Sequence, residues 1–214
     1  MNNKNRFKIL VLPIIFIALL TAIDQVTKFI ITSNFKLNES RPVFDDIFHI
    51  TYIRNQGAAW GMLQGKRILF LILTTLVVGF CIYILYNISG NRKYIMLTID
   101  VIILTAGAIG NMIDRFKQGY VVDFLDFKLI NFPVFNVADI YVTLSMVMIF
   151  ILLLFVYKND DLDFILTGKI KVEDKSKDEV KDKSKDEVKD ELHNQSNIES
   201  NNESNSESNI ESKE

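Results

Sequence analysis

Two aspartates hold the positions where chemistry is most accessible. Asp123 lies in Gly119-Tyr120-Val121-Val122-Asp123-Phe124, and Asp139 lies in Phe135-Asn136-Val137-Ala138-Asp139, where the last long apolar run begins. A carboxylate at the edge of a membrane segment is costly to keep there, and is read first as functional. Two carboxylates that can share one proton can activate water without a nucleophilic side chain. Asp123, between Val122 and Phe124, needs a partner or water. Asp126 competes with it on sequence grounds.

Further polar residues keep the same company. Asp24 and Lys28 are spaced i,i+4 on one helix face, and Asn111, Asp114 and Arg115 share a face at i, i+3 and i+4. Asn136 and Asp139 are spaced i,i+3, and Asn55 opens the run Asn55-Gln56-Gly57-Ala58-Ala59-Trp60-Gly61. There Gly57 permits a turn or a close backbone approach. Each group also has a plainer reading. Asp24 with Lys28 reads equally as an ion pair that fixes a helix, and Asp114 beside Arg115 as a local salt bridge or lipid anchor. Asn136 with Asp139 reads as an N-cap followed by a favourable acid at the third helical position. Asp100 lacks such company and reads as structural, or as lying near the inner headgroups.

These residues need elements to position them. Four apolar runs, at about 9–32, 68–88, 94–116 and 136–157, are long enough to span a bilayer. The basic start, with Lys4, Arg6 and Lys8, and the loop with Arg92 and Lys93 place both termini in the cytoplasm. The first run continues through Asp24 and Lys28 with no clean cleavage site, so it is expected to stay as a span. The segment of about 34–66 contains Phe48-His49-Ile50-Thr51-Tyr52-Ile53, β-branched and aromatic, and is expected to form a small extracytoplasmic β element on the membrane. The expected class is an all-α membrane protein with four transmembrane helices, that β element and a disordered C-terminal tail. Gly107 and Gly110 allow helices to approach closely near the outer end of the third span. On this topology all the polar groups named above, except Asp100, converge on the extracytoplasmic side.

Composition divides the chain in two. Residues 1–172 carry a net charge of +5 and residues 173–214 a net of −7. The tail, taken to run over 159–214, repeats Lys-Ser-Lys-Asp-Glu-Val-Lys-Asp at 175–182 and 183–190 and is too polar to bury anything. The single Cys81 excludes an intramolecular disulfide, and two histidines, His49 and His193, make a His- or Cys-built zinc site implausible. No Gly-x-Ser-x-Gly or His-Glu-x-x-His pattern is present. A Ser/Lys pair stays open by residue count, although Ser145 lies deep in the fourth run with no lysine near it in sequence and Ser33 lies far from the helix face of Lys28. Carboxylates are the favoured hydrolytic apparatus, with no metal or cofactor expected. A small transporter or proton relay built on the same acids is the alternative, although four spans without an internal repeat do not suit common transporter folds.

The five blocks Asp24-Gln25-Val26-Thr27-Lys28, Asn55 to Gly61, Gly107-Ala108-Ile109-Gly110-Asn111-Met112-Ile113-Asp114-Arg115, Val121 to Phe124 and Phe135 to Asp139 occur in this order. Together they resemble the lipoprotein signal peptidases, the type II signal peptidases of bacteria. The resemblance covers about residues 8–157. It implies an aspartic endopeptidase of the bacterial inner membrane that removes signal peptides from prolipoproteins, cleaving before an S-diacylglyceryl-modified cysteine; a monomer is expected. It implies Asp123 and Asp139 as the catalytic pair. Asp24, Asn55, Asn111, Asp114, Arg115 and Asn136 match supporting positions around that pair, and Lys28, Gly57 and Gly107 are expected to support the site with them. It further implies membrane lipids as partners, no nucleic acid, and a globomycin-type inhibitor in the same cleft. Ala106, Trp60, Phe132 and Ile140 depart from the family pattern, and touch packing and substrate fit rather than the acids. The acidic tail lies outside that pattern.

Overall fold

The structure, a computed structural model, describes residues 3–57 and 62–168, with the backbone alone for residues 3–8. Trp60, the rest of the run 58–61 and the tail beyond 168 lie outside the described residues. The helix α1 (Asn3–Asn34) is followed by strands β1 (Ser40–Phe44) and β2 (Phe48–Asn55), then α2 (Arg67–Ile88), α3 (Ile95–Gln118), β3 (Val121–Asp126) and α4 (Val137–Ile151). The helix α4 continues through a π-helical segment, Leu152–Val156, and α5 (Asn159–Thr167) ends the described chain.

Four helical stretches, Ile9–Asn34, Arg67–Ile88, Arg92–Gln118 and Val137–Val156, are long and apolar enough to cross a membrane. At 22 residues α2 is about 33 Å long, close to the thickness of a bilayer's hydrocarbon core. The third stretch is half buried, whereas the others bury 17% or less. The reason is position: α3 packs against α1, α2 and α4 and forms the axis of the bundle. The other helices turn large apolar side chains outward, among them Phe16, Leu76, Phe80 and Phe150. That surface suits lipid and not water.

The β element expected over 34–66 gains a strand from elsewhere. β1 pairs with β2, and β2 pairs antiparallel with β3, from after the third span. The register sets Ile53 opposite Asp123 and Asn55 opposite Val121. A turn makes this possible: α3 ends at Gly119, whose φ of 82° reverses the chain while its N–H bonds Arg115 O. Val121, Val122 and Phe124 are then buried, and Ile31, Tyr52, Val122 and Phe124 form a small core under the sheet.

At the other end of the bundle, residues 159–167 form a helix where the sequence predicts only low-complexity tail. Ile165 is buried, Phe164 stacks on Tyr94 at 5.1 Å between ring centres, and Asn87 Nδ2 donates to Ile165 O at 3.0 Å. The apolar pair Phe164 and Ile165 packs on the bundle while Asp161 is held by Lys93 and Tyr94; the run of acids around the pair obscures this in the sequence. Asp100 is buried in α3, as the structural reading expects, with Ser145 Oγ donating to its backbone carbonyl at 3.2 Å.

Candidate active site

A buried lysine ties the helices together beneath the sheet. Lys28 Nζ lies 2.9 Å from Asp24 Oδ2 and 3.1 Å from Asp114 Oδ2, and donates to Asn111 Oδ1 at 3.0 Å. The Asp24–Lys28 pair is thus real, but it is one part of a larger network. Asp24 is fully buried and its Oδ1 accepts the N–H of Ala138 at the start of α4. Asp114 Oδ2 accepts Val122 N–H from β3 at 3.2 Å. Two acids of the inner layer therefore each hold another element by a backbone donor. Removing one partner would leave a buried charge uncompensated, the costly case for an ion pair.

Close approach makes the network possible. A Cβ on Gly110 would lie 2.5 Å from Asp24 Oδ2, and one on Gly107 would lie 2.6 Å from Ala138 O. Both glycines are the space through which α1 and α4 reach α3.

Asp123 and Asp139 lie above this layer, held by amides. Asp123, 1% exposed, accepts Asn136 Nδ2 at 2.7 Å on Oδ1 and Asn55 Nδ2 at 2.9 Å on Oδ2. Asp139 accepts Asn111 Nδ2 at 2.7 Å on Oδ1 and the Asn136 N–H at 3.2 Å on Oδ2. Asn136 Oδ1 in turn accepts Asp139 N–H at 3.0 Å, which completes a capping box at the start of α4. Asn136 Nδ2 also donates to Asn111 Oδ1 at 3.2 Å, and Asn111 Oδ1 is the oxygen that takes Lys28. The capping reading and the site reading of Asn136 and Asp139 thus describe one arrangement.

Burial pushes the Asp123 carboxyl up to about 7, and the charge of Asp139 adds to the rise. The amides of Asn55 and Asn136 and the positive charge of Lys28 pull the other way. Burial wins because no cation touches Asp123 directly: neutral amides make its hydrogen bonds, and Lys28 acts only from a distance.

Both acids line a cavity of about 450 Å³, together with Asn55, Gly57, Asn111 and Arg115. The rest of its wall is largely apolar, from Phe132 through Phe135 and from Ile140, Thr143 and Leu144. Arg115 does not pair with Asp114, whose partner is Lys28. Its Nη2 donates to Gly57 O at 3.0 Å, and its guanidinium sits 4.5 Å over the ring of Phe70. Gly57 is held from its other side as well, its N–H donating to Asn55 Oδ1 at 2.9 Å. Asp126 faces elsewhere, bound by Thr51 Oγ1 at 2.6 Å and Lys128 Nζ at 2.8 Å.

Sequence reasoning missed Gln25. Its Nε2 lies within 3.2 Å of Asp24 Oδ2 and Gly110 O and 3.0 Å from Asp114 Oδ1, which makes it a clasp between α1 and α3. The signal was available: an amide in an apolar span needs buried partners. Thr143 and Leu144, one turn beyond Asp139, were also missed, since nothing in an apolar helix marks which face borders a cavity.

The description of signal peptidase II fits residues 16–155. Among curated relatives, the lipoprotein signal peptidase of Enterococcus faecalis is 40% identical over 147 residues, which cover 69% of this chain and 90% of that one. That of Halothermothrix orenii is 41% identical over 125 residues, covering 58% of this chain and 83% of its own. A bacterial membrane enzyme solved by the in meso method at 2.3 Å is 37% identical, with a TM-score of 0.61 over 66% of this chain and 87% of that one. A second, solved at 1.9 Å, is 36% identical with a TM-score of 0.59, covering 68% and 94%. With the four apolar helices, and a family match across most of the membrane bundle, the chain belongs to the lipoprotein signal peptidases, a family of bacterial membrane peptidases.

Proposed function

We propose that Asp123 and Asp139 form the catalytic dyad of an aspartic endopeptidase. Its substrate is a diacylglyceryl-modified prolipoprotein, cut on the N-terminal side of the modified cysteine. The observation that carries this reading is the shared grip of Asn136. Its side-chain amide holds Asp123 and its backbone N–H holds Asp139, so one residue fixes both acids on one cavity wall. The relatives' name supports the substrate class.

The chemistry follows from two close acids in a poorly hydrated site. They do not both ionise at neutral pH, and the pair shares one proton. Asp123, with its carboxyl raised to about 7, retains that proton near neutrality. Asp139 takes a proton from the attacking water while Asp123 donates a hydrogen bond to the scissile carbonyl. The tetrahedral intermediate then collapses as a proton passes to the leaving amine, and no acyl-enzyme forms. Because the two acids interact, their titrations are coupled, and the profile read in cleavage is that of the pair.

The supporting residues keep the geometry fixed. Asn111 orients Asp139, Asn55 orients Asp123, and Lys28 with Asp24 and Asp114 holds the helices beneath them. Gly107 lets α4 lie close enough to α3 for this to work. Arg115 steadies the loop at Gly57 beside the cavity. The apolar wall receives the residues of the signal peptide near the cut and excludes water. A globomycin-type inhibitor occupies the same cavity. The protein works as a monomer with both termini cytoplasmic and the dyad near the extracytoplasmic face, where a secreted precursor emerges.

The test is cleavage of a diacylglyceryl-modified prolipoprotein by the detergent-purified chain. Asp123→Asn and Asp139→Asn should each abolish it while the protein still inserts. Turnover that survives either substitution rejects the dyad. Proton flux in liposomes without cleavage would select the relay reading instead.

A further inference from the structure

The side of α3 turned away from Asn111 carries a second groove. Leu71 and Thr75 of α2 and Met112, Ile113 and Phe116 of α3 line a cavity of about 450 Å³. An adjoining one of about 640 Å³ shares Leu71 and Phe116 and is bordered by Lys66 and Arg67. Ile113 lies two residues from Asn111, about 200° around the helix, so this groove and the dyad cavity occupy opposite faces of α3.

Three cations gather at one end of the groove: Lys66 and Arg67 at the start of α2, and Lys117 near the end of α3. Arg67 Nη2 donates to Phe116 O at 2.6 Å and so closes the end of α3. Lys66 and Lys117 are exposed, and among the described residues neither side chain has an ion-pair or hydrogen-bond partner. Among the described residues no acid lines either cavity. Below the cations the walls are apolar, on two helices that cross the membrane. Cations at the end of a spanning helix lie at headgroup depth, with acyl chains running along the helix beneath them.

We propose that this groove binds an anionic phospholipid. The phosphate lies between Lys66 and Lys117, and one acyl chain runs along Leu71, Thr75, Met112 and Ile113. A zwitterionic lipid presents the same phosphate but brings its own ammonium next to the lysines, so a net-anionic headgroup is preferred. The site is separate from the dyad, and its test does not depend on how the dyad works.

The experiment is native mass spectrometry of the purified full-length chain in detergent, titrated with phosphatidylglycerol and, separately, phosphatidylcholine of the same acyl chains. Phosphatidylglycerol should be retained more strongly by on the order of tenfold. The double variant Lys66→Gln, Lys117→Gln should bring it down to the phosphatidylcholine level with an unchanged melting temperature, because both lysines are exposed. Leu71→Trp, which fills the groove and keeps both lysines, should weaken both lipids. Equal retention of the two lipids by the unaltered protein, or phosphatidylglycerol retention untouched by the double variant, overturns the proposal. Inorganic phosphate that displaces the lipid at equal concentration would assign the site to a free anion and overturn it as a lipid site.

Discussion

Two helices in this protein begin in the same way and come to different ends. At α4 the N–H of Asn136 donates to Asp139 Oδ2, and at α5 the N–H of Lys158 donates to Asp161 Oδ2, each at 3.2 Å. Both acids occupy the third helical position, where the N-terminal dipole favours them. Asp161 is then completed by the ammonium of Lys93 and by Tyr94 Oη, which donates to it at 2.8 Å. The Lys93 contact holds its carboxyl below the ordinary range. Asp139 meets the Asn111 amide, a cavity, and Asp123, whose own carboxyl is raised. A local motif sets where an acid sits, and the elements folded against it decide whether a cation completes it or a cavity opens beside it.

The sharpest way to break this comparison is to neutralise one acid at a time. Asp139→Asn should lower cleavage on the order of 10²–10⁴-fold or more, the range for loss of a general acid or base. Asp161→Asn should leave it unchanged in the same assay. A comparable loss from both would mean that neither acid is special.

The pH profiles should diverge next. Asp123 keeps its proton in the fold up to about 7, so cleavage should fall about tenfold per pH unit above that value. An unfolded aspartate releases its proton near 4, so the stability associated with Asp123 also declines as pH rises from about 4 through 7. Asp161 has the opposite sign. Its contribution is present above about 4 and is lost as pH falls through its lowered folded value. A cleavage profile flat from pH 6 to 9 would contradict the raised Asp123.

Smaller effects sharpen the packing argument. Gly110→Ala puts a methyl group 2.5 Å from Asp24 Oδ2 and should cost about 1–3 kcal/mol in a detergent melt, with cleavage reduced as α1 shifts. Asp161→Ala strands the Tyr94 hydroxyl and should cost about 1–3 kcal/mol, with cleavage intact in the folded fraction. Truncation after residue 172 should change neither measurement.

Much of the site was legible because its parts are local. Asp24 with Lys28, Asn111 with Asp114, and Asn136 with Asp139 each sit on one helix face, and spacing shows that directly. The four spans follow from the same kind of signal, since hydropathy is a property of a run. Partner choice was not legible. That Asp114 pairs with Lys28 rather than its neighbour Arg115 depends on α1 crossing α3 at Gly110, a contact between residues more than eighty positions apart. The sheet shows the same limit. Val121 to Asp126 reads as a strand by composition, but its pairing with Phe48–Asn55 is set by the turn at Gly119. The helix α5 was hidden for a different reason: it brings only two apolar side chains, Phe164 and Ile165, against the bundle core, and the surrounding Asp160, Asp161 and Asp163 dominate any average over the segment.

The double duty of Asn136 bears on how the protein could escape a drug. A compound that gripped this carboxamide would meet a target with few tolerated replacements, because the same group starts a transmembrane helix. Change would be better borne at the apolar wall, at Ile140 or Leu144, whose side chains border the pocket and take no part in that cap.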